Sequence, residues 1–381
     1  MALTTLLYIA SQFPPQFCGV VAIILFLANN VLRISFHGNT LGIKVTNRHL
    51  SYVKSALIVS VILFIITLQA LLFAYPLSTI SILQTSFYAV LIGAGRLESH
   101  GPVPKNLIAS VTWLNVLVLF FSLHPQVQAM AFFETPGGLR YQSIYIEPSY
   151  AAFIYLFNIV ELIKIKRTEK VDGLIFLNIL LIFITFSGSG LALLLLFLMA
   201  YVIEKFSFKS KLKVASVVIA LLTTFIFSAR SAFNEMVLSR WQGILTGDID
   251  NSVFLRFVAP WVFLDQMAGR WVHFMAGVGI GGINEYINYY RSELAFLQFY
   301  DGSDATGLNN GYAVILAMMG FPFGFGLICL IIFLVWRSNS AISSKALLLA
   351  YPFFSGWIVH PLYILMLAIV IKKTAFKYRI G

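Results

Sequence analysis

Ala229-Arg-Ser-Ala-Phe-Asn-Glu235, Arg256-Phe-Val-Ala-Pro-Trp261, Gly277-Val-Gly-Ile-Gly-Gly282 and Gly307-Leu-Asn-Asn310 punctuate one 82-residue stretch, 229–310, set between two very apolar segments. The stretch carries five arginines and no lysine. Outside it the chain is a series of apolar segments, at about 2–13, 17–32, 55–75, 79–95, 106–123, 148–163, 173–187, 189–204, 212–228, 311–336, 346–357 and 359–371. A full crossing of the bilayer takes roughly 20 residues, and several segments are shorter than that. Pro14-Pro15, Ser187-Gly-Ser-Gly190 and His360-Pro361 divide neighbouring segments, as helix-breaking residues do. The expectation is an all-α polytopic membrane protein with about 10 to 12 transmembrane helices, twelve being the upper reading and the first and last pairs reading as either hairpins or re-entrant segments. It has three parts: helices over 1–228 with a small outer loop near 124–147, a large outer helical loop over 229–310, and helices over 311–381.

Composition supports this and excludes other classes. The 381 residues are 59% hydrophobic and 11% charged, with a mean hydropathy of +0.88, which excludes a soluble globular domain. Cys18 and Cys329 both lie in apolar segments, so neither a disulfide framework nor metal-ligand spacing is present. Met1 to Phe13 lacks a basic leader and a small-residue cleavage site, and reads as a retained segment. The net charge of +11 is spread between short breaks, which fits membrane orientation and not a nucleic-acid partner.

Orientation follows from counting. With both termini inside, the inner breaks and the C-terminal tail hold 20 of the 26 Lys+Arg, including all 14 lysines. The six outer cations are all arginine: Arg140, Arg230, Arg240, Arg256, Arg270 and Arg291. Ten of the fifteen carboxylates lie outside. Positive charge is normally kept on the inner face, so the outer arginines are not there for orientation. A guanidinium offers a planar fork that matches phosphate, whereas lysine is a point charge that loses its proton more readily beside a membrane. An arginine-only outer surface therefore points to phosphate or pyrophosphate. The competing reading is that these residues snorkel to headgroups or pair with Glu235, Asp248, Asp250, Asp265, Glu285 and Glu293.

The smaller outer break contains Glu134-Thr-Pro-Gly-Gly-Leu-Arg140 and leads into Ile146-Glu147-Pro148-Ser149. Pro148 suits the first turn of a helix, which places Glu147 at a helix mouth beside an apolar run. A carboxylate there can act as a general base with a raised pKa, or simply complement the helix dipole. Val253 to Leu264, with Arg256 and Trp261, is too short and too Pro-broken to span, and is expected at the interface. Trp241, Trp261, Trp271 and the tyrosines Tyr286, Tyr289 and Tyr290 suit an aromatic belt, with sugar stacking as the alternative. Gly277 to Gly282 spells G-x-G-x-x-G, but no βαβ pattern surrounds it. Its glycines are expected to permit a tight turn or close backbone approach. His124, His273 and His360 lack metal spacing, so no metal and no cofactor is expected.

With these residues in hand, the chain resembles the bacterial O-antigen and polysaccharide polymerases of the Wzy kind and, more distantly, the O-antigen ligases. Four features carry the resemblance: Ile146-Glu147-Pro148-Ser149, the hairpin at Thr185-Phe-Ser187-Gly-Ser-Gly190, the Arg256-x4-Trp261 run leading to Gly277-x-Gly279, and Asn309-Asn310-x9-Gly320. Arg270-x10-Gly281 and Arg291-x10-Gly302 also fit an Arg-x10-Gly pattern seen in some of these polymerases. The ligases carry histidine where this chain has Asn309, and many relatives carry arginine after the serine equivalent to Ser187, where this chain has Gly188. The resemblance implies a GT-C-like glycosyltransferase of the inner membrane with its active site facing the periplasm. Its substrates would be polyprenyl-pyrophosphate-linked oligosaccharides, with membrane lipids and a chain-length regulator as partners. Glu147, Arg256 and Arg140 are then the expected catalytic residues. Arg230, Arg240, Arg270, Arg291, Trp261, Asn309 and Asn310 are the expected substrate-binding ones. A ligase, or a flippase for lipid-linked glycan, is the alternative, although no internal repeat of the transporter kind is visible.

Overall fold

The computed structural model describes residues 3–12, 20–26, 87, 103–135, 138–145, 148–166, 170–205, 254–280, 282–294, 308–338, 340–355, 361 and 363–367. These residues are mostly helical. In chain order they form α1 (Leu3–Ala10), α2 (Lys105–Phe121), α3 (Pro125–Ala131), strands β1 (Phe132–Thr135) and β2 (Gly138–Tyr141), α4 (Pro148–Ile165), α5 (Asp172–Ile184) and α6 (Gly188–Lys205). A π-turn at Phe254–Val258 follows, then α7 (Ala259–Ala268), α8 (Trp271–Ala276), α9 (Ile283–Tyr289), α10 (Arg291–Leu294), α11 (Gly311–Met319), α12 (Phe321–Arg337) and α13 (Ile342–Phe354). They divide into two compact units, one drawn from 1–100, 254–339 and 351–381, the other from 101–253 and 340–350.

In the second unit α4 is central. It packs on α2, α5 and α6, and most of its length is buried. Pro148 opens it and Lys164 stands in its last turn, where a cation complements the carbonyl end. α4 and α6 have 18 residues each and are long and apolar enough to cross a membrane. At 1.5 Å per residue such a helix rises about 27 Å, close to the roughly 30 Å hydrocarbon core. α2, α5, α12 and α13 are apolar but shorter. The expected segments 55–75 and 212–228, and nearly all of 79–95, lie outside the described residues.

Polar side chains stitch these helices together. The Asn158 amide donates to Asn178 Oδ1 at 3.0 Å, and the Asn178 amide to Thr112 Oγ1 at 3.0 Å, linking α4, α5 and α2. Thr112 Oγ1 in turn donates to the Ile108 carbonyl at 2.8 Å. Where no water is available every polar group must find a partner inside the protein, and this chain of donors meets that demand. The turn expected at Ser187 is present. Phe186 adopts a left-handed φ of 46°, and Ser187 Oγ accepts from the Gly190 N–H at 3.2 Å, which makes it the N-cap of α6. Near the far end of α4, Glu161 is buried, pairs with Lys164 and accepts from the Val103 N–H at 3.3 Å.

The described residues add detail to three expectations. The stretch expected as a small loop near 124–147 holds α3 and an antiparallel hairpin, with Phe132 opposite Tyr141 and Phe133 opposite Arg140. Pro260 falls where the π-turn Phe254–Val258 gives way to α7, and the segment 253–264 is divided there. The proline sits in the first turn of α7, where its missing N–H costs nothing. The apolar run 311–336 is two helices, α11 and α12, parted at Gly320. Nine residues rise only about 14 Å, so α11 alone reaches roughly half-way through a bilayer core.

Candidate functional site

In the first unit the sequence landmarks converge on α11. Asn310 is its N-cap: Oδ1 accepts from the Tyr312 and Ala313 N–H groups at 3.1 and 3.2 Å. Gly320 is its C-cap. The nine residues counted by Asn310-x9-Gly320 are therefore the whole of α11, with a cap at either end. Beyond Met319 the chain meets Gly277-Val278-Gly279. The Val278 N–H donates to the Ala317 carbonyl at 2.7 Å and the Gly279 N–H to the Met318 carbonyl at 3.2 Å, satisfying carbonyls that a helix end leaves open. Gly277 and Gly320 have φ of 79° and 76° with near-extended ψ, a conformation open essentially to glycine alone. A Cβ on Gly277 would lie 2.5 Å from the Gly320 nitrogen, and one on Gly320 would lie 2.7 Å from the Gly277 nitrogen. The expected close backbone approach is this contact.

At the other end of α11 stands Arg256. Its residue lies in the π-turn, a wide helical turn often found at functional sites. Nε donates to the Phe354 carbonyl at 3.2 Å, and the Arg256 carbonyl accepts from Asn310 Nδ2 at 3.3 Å. Arg256 is half-buried and Asn310 is 6% exposed. The structure thus brings together two of the expected site residues, Arg256 and Asn310, from positions 54 apart. Asn309 is half-buried beside them in the chain.

Arg270, in the same stretch, behaves differently. Arg270 Nη2 donates to Glu293 Oε2 at 2.6 Å, and its Nη1 donates to Tyr286 Oη at 2.9 Å and to the Gln266 carbonyl at 3.2 Å. Its guanidinium lies 3.9 Å from the centre of the Tyr290 ring, a cation–π distance. For Arg270 the carboxylate-pairing alternative is what the structure contains. His273 packs edge-on against Tyr286, and its pKa is lowered by burial and then by the Arg270 charge. Tyr286 is fully buried with Phe263, Met267, Val278 and Ile287 in the core of this unit, which removes it from any sugar platform. Trp261 is 65% exposed, and Trp271 and Tyr289 are exposed as well. Arg291 is exposed at the start of α10. Arg230, Arg240 and Glu147 lie outside the described residues.

In the second unit Arg140 sits on β2 and is 7% exposed. The hairpin that carries it is fixed from α2 and α4. Tyr141 Oη donates to the Asn115 carbonyl, and Tyr155 Oη donates to Asn115 Oδ1 at 2.9 Å. Tyr145 joins Asn115 as well. Burial pushes the Tyr141 phenol up to about 12 and the Tyr145 phenol higher, so both remain donors at neutral pH. Asn115 reads as an ordinary polar residue in an apolar segment. Only its three tyrosine partners, 26 to 40 residues away, reveal it as the anchor of the Arg140 hairpin. Among the described residues no three His, Cys, Asp or Glu side chains come together as metal ligands.

The profile of the WcaD colanic acid polymerases matches residues 13–374, nearly the whole chain. The chain belongs to the WcaD colanic acid polymerase family. The likeness to Wzy-type polysaccharide polymerases read from the Glu147, Ser187, Arg256 and Asn310 regions thereby stands. No curated protein and no solved structure matches the chain. Membership in the WcaD family makes the chain a glycosyltransferase-type enzyme of polysaccharide polymerisation that works on lipid-linked oligosaccharides.

Proposed function

We propose that this WcaD-family protein joins polyprenyl-pyrophosphate-linked repeat units of a colanic-acid-type surface polysaccharide at the periplasmic face of the inner membrane. A terminal sugar hydroxyl of the incoming unit attacks the anomeric carbon of the growing chain. The bond from that carbon to the pyrophosphate oxygen breaks, polyprenyl pyrophosphate leaves, and the hydroxyl proton passes to Glu147. No metal takes part. Positioned guanidinium donors stabilise the charge that develops on the leaving group, and in a water-poor site such donors act strongly. Arg256 and Arg140 are the phosphate ligands in this reading. Arg230, Arg240, Arg291, Trp261 and Asn309 supply further substrate contacts. A chain-length regulator acts alongside.

The match over residues 13–374 carries this reading. The confinement of all lysines to one set of breaks, with arginine alone in the other, supports its phosphate chemistry. In cells deleted for the gene, the wild-type chain should restore long polysaccharide from accumulated single repeat units. Glu147→Gln, expressed to the same level, should leave single units, with polymerisation lowered by roughly a hundred- to ten-thousand-fold, the usual range for losing acid–base catalysis. Long chains from Glu147→Gln would remove Glu147 as the base, and a deletion strain with unaltered polysaccharide would remove the activity itself.

A further inference from the structure

We propose that Asn310 is a positioning residue for Arg256, not a sugar ligand. The inference rests on the reading of Arg256 as a phosphate ligand in polymerisation. Asn310 is buried, and its amide is oriented by what it accepts. Oδ1 faces the Tyr312 and Ala313 N–H groups at 3.1 and 3.2 Å, because only the oxygen can cap a helix N-terminus. That choice turns Nδ2 toward the Arg256 carbonyl, 3.3 Å away. The carbonyl belongs to the π-turn Phe254–Val258, whose hydrogen-bond register differs from that of an α-helix. The donor from Asn310 therefore ties the turn to the N-cap of α11. The Phe354 carbonyl holds the side chain through Nε at 3.2 Å. Arg256 is fixed at its backbone by one partner and at its guanidinium by another, while the polar atoms of Asn310 are engaged within the fold. The spacing Asn310-x9-Gly320 then has a mechanical meaning. α11 is clamped at its far end against Gly277-Val278-Gly279, so its N-terminus is a fixed post from which Asn310 sets the π-turn.

The test uses full-length protein purified into nanodiscs, with lipid-linked oligosaccharide extracted from cells deleted for the gene. Asn310→Asp and Asn310→Ser both keep an oxygen that caps α11 and both lose the amide donor to Arg256. Melting temperature should stay near that of the wild type. The turnover rate should fall on the order of a hundred-fold, as small misplacements of a catalytic group do, with little change in KM. Asn310→Ser added to Arg256→Ala should cause no further loss, since a residue that acts through Arg256 has nothing left to position. Losses that multiply in the double variant, or a rise in KM alone, would make Asn310 a direct ligand and overturn the proposal. Wild-type rates in the single variants would overturn it too, as would a fall in melting temperature large enough to account for the lost rate. Arg256→Ala at the wild-type rate is a separate result: it would remove the phosphate-ligand reading of Arg256, and the positioning role with it.

Discussion

At the scale of single residues, the distinction between arginine and lysine decides most. A guanidinium bound to phosphate through two parallel donors is not replaced by an ammonium. Arg256→Lys and Arg140→Lys should each lose about 2.7 to 4 kcal/mol of transition-state stabilisation, roughly a hundred- to a thousand-fold in rate. The measurement is elongation of lipid-linked repeat units by each purified variant. Near-normal chain length from the lysine variants would instead assign these arginines to headgroups. The sequence names Arg256 and Asn310 as site residues, yet does not show that one holds the other, because their hydrogen bond spans 54 residues. Arg270 illustrates the converse. Its partner Glu293 is 23 residues on and was one of six carboxylates in reach of the charge count, so only geometry selects it. Asn115 carried no signal at all, since a lone Asn in an apolar run looks the same whether it anchors three tyrosines or none.

Among the elements, α11 and its two glycine contacts show what hydropathy misses. The run 311–336 is apolar throughout, and hydropathy does not register a backbone that turns at Gly320 without any polar residue. The hairpin of β1 and β2 was hidden for a different reason. Four-residue strands are too short to establish an alternating pattern, and Phe132 and Tyr141 lie between longer helical signals. By contrast the turn at Ser187, the start of α4 at Pro148 and the split between α5 and α6 were legible, because caps and prolines act locally. The Gly277–Gly320 contact gives a specific expectation. Alanine at either position must adopt a conformation that costs an L-residue about 1 to 3 kcal/mol, and its Cβ would also meet backbone at 2.3 Å. Gly320→Ala should therefore lower the melting temperature of the purified protein, with a loss of at least that size, whereas Gly326→Ala, where a Cβ meets nothing within 4 Å, should not lower it through a steric clash. Equal stabilities for the two variants would mean that the 277–279 strip does not clamp α11.

For the whole molecule, class and family were legible early, since both rest on the sum of many residues: 59% hydrophobic content, the division of lysine from arginine, and a profile match from 13 to 374. The orientation implied by that charge division is open to a direct check. With Cys18 and Cys329 replaced, a cysteine at Asp250 should react with an impermeant reagent from outside, and one at Lys209 only after permeabilisation. The reverse labelling would place the arginine-rich stretch with the cytoplasm and remove the phosphate argument built on it. What the sum of residues does not contain is the chemistry at one bond, that between the anomeric carbon and the pyrophosphate. The measurement that meets it most directly is reconstitution of the purified chain in nanodiscs with polyprenyl-pyrophosphate-linked repeat units, a chelator, and no nucleotide sugar. The expected result is a ladder of lipid-linked glycans, each longer by one repeat, with release of polyprenyl pyrophosphate. Repeat units that cross the membrane or pass to a different lipid acceptor without growing would contradict it.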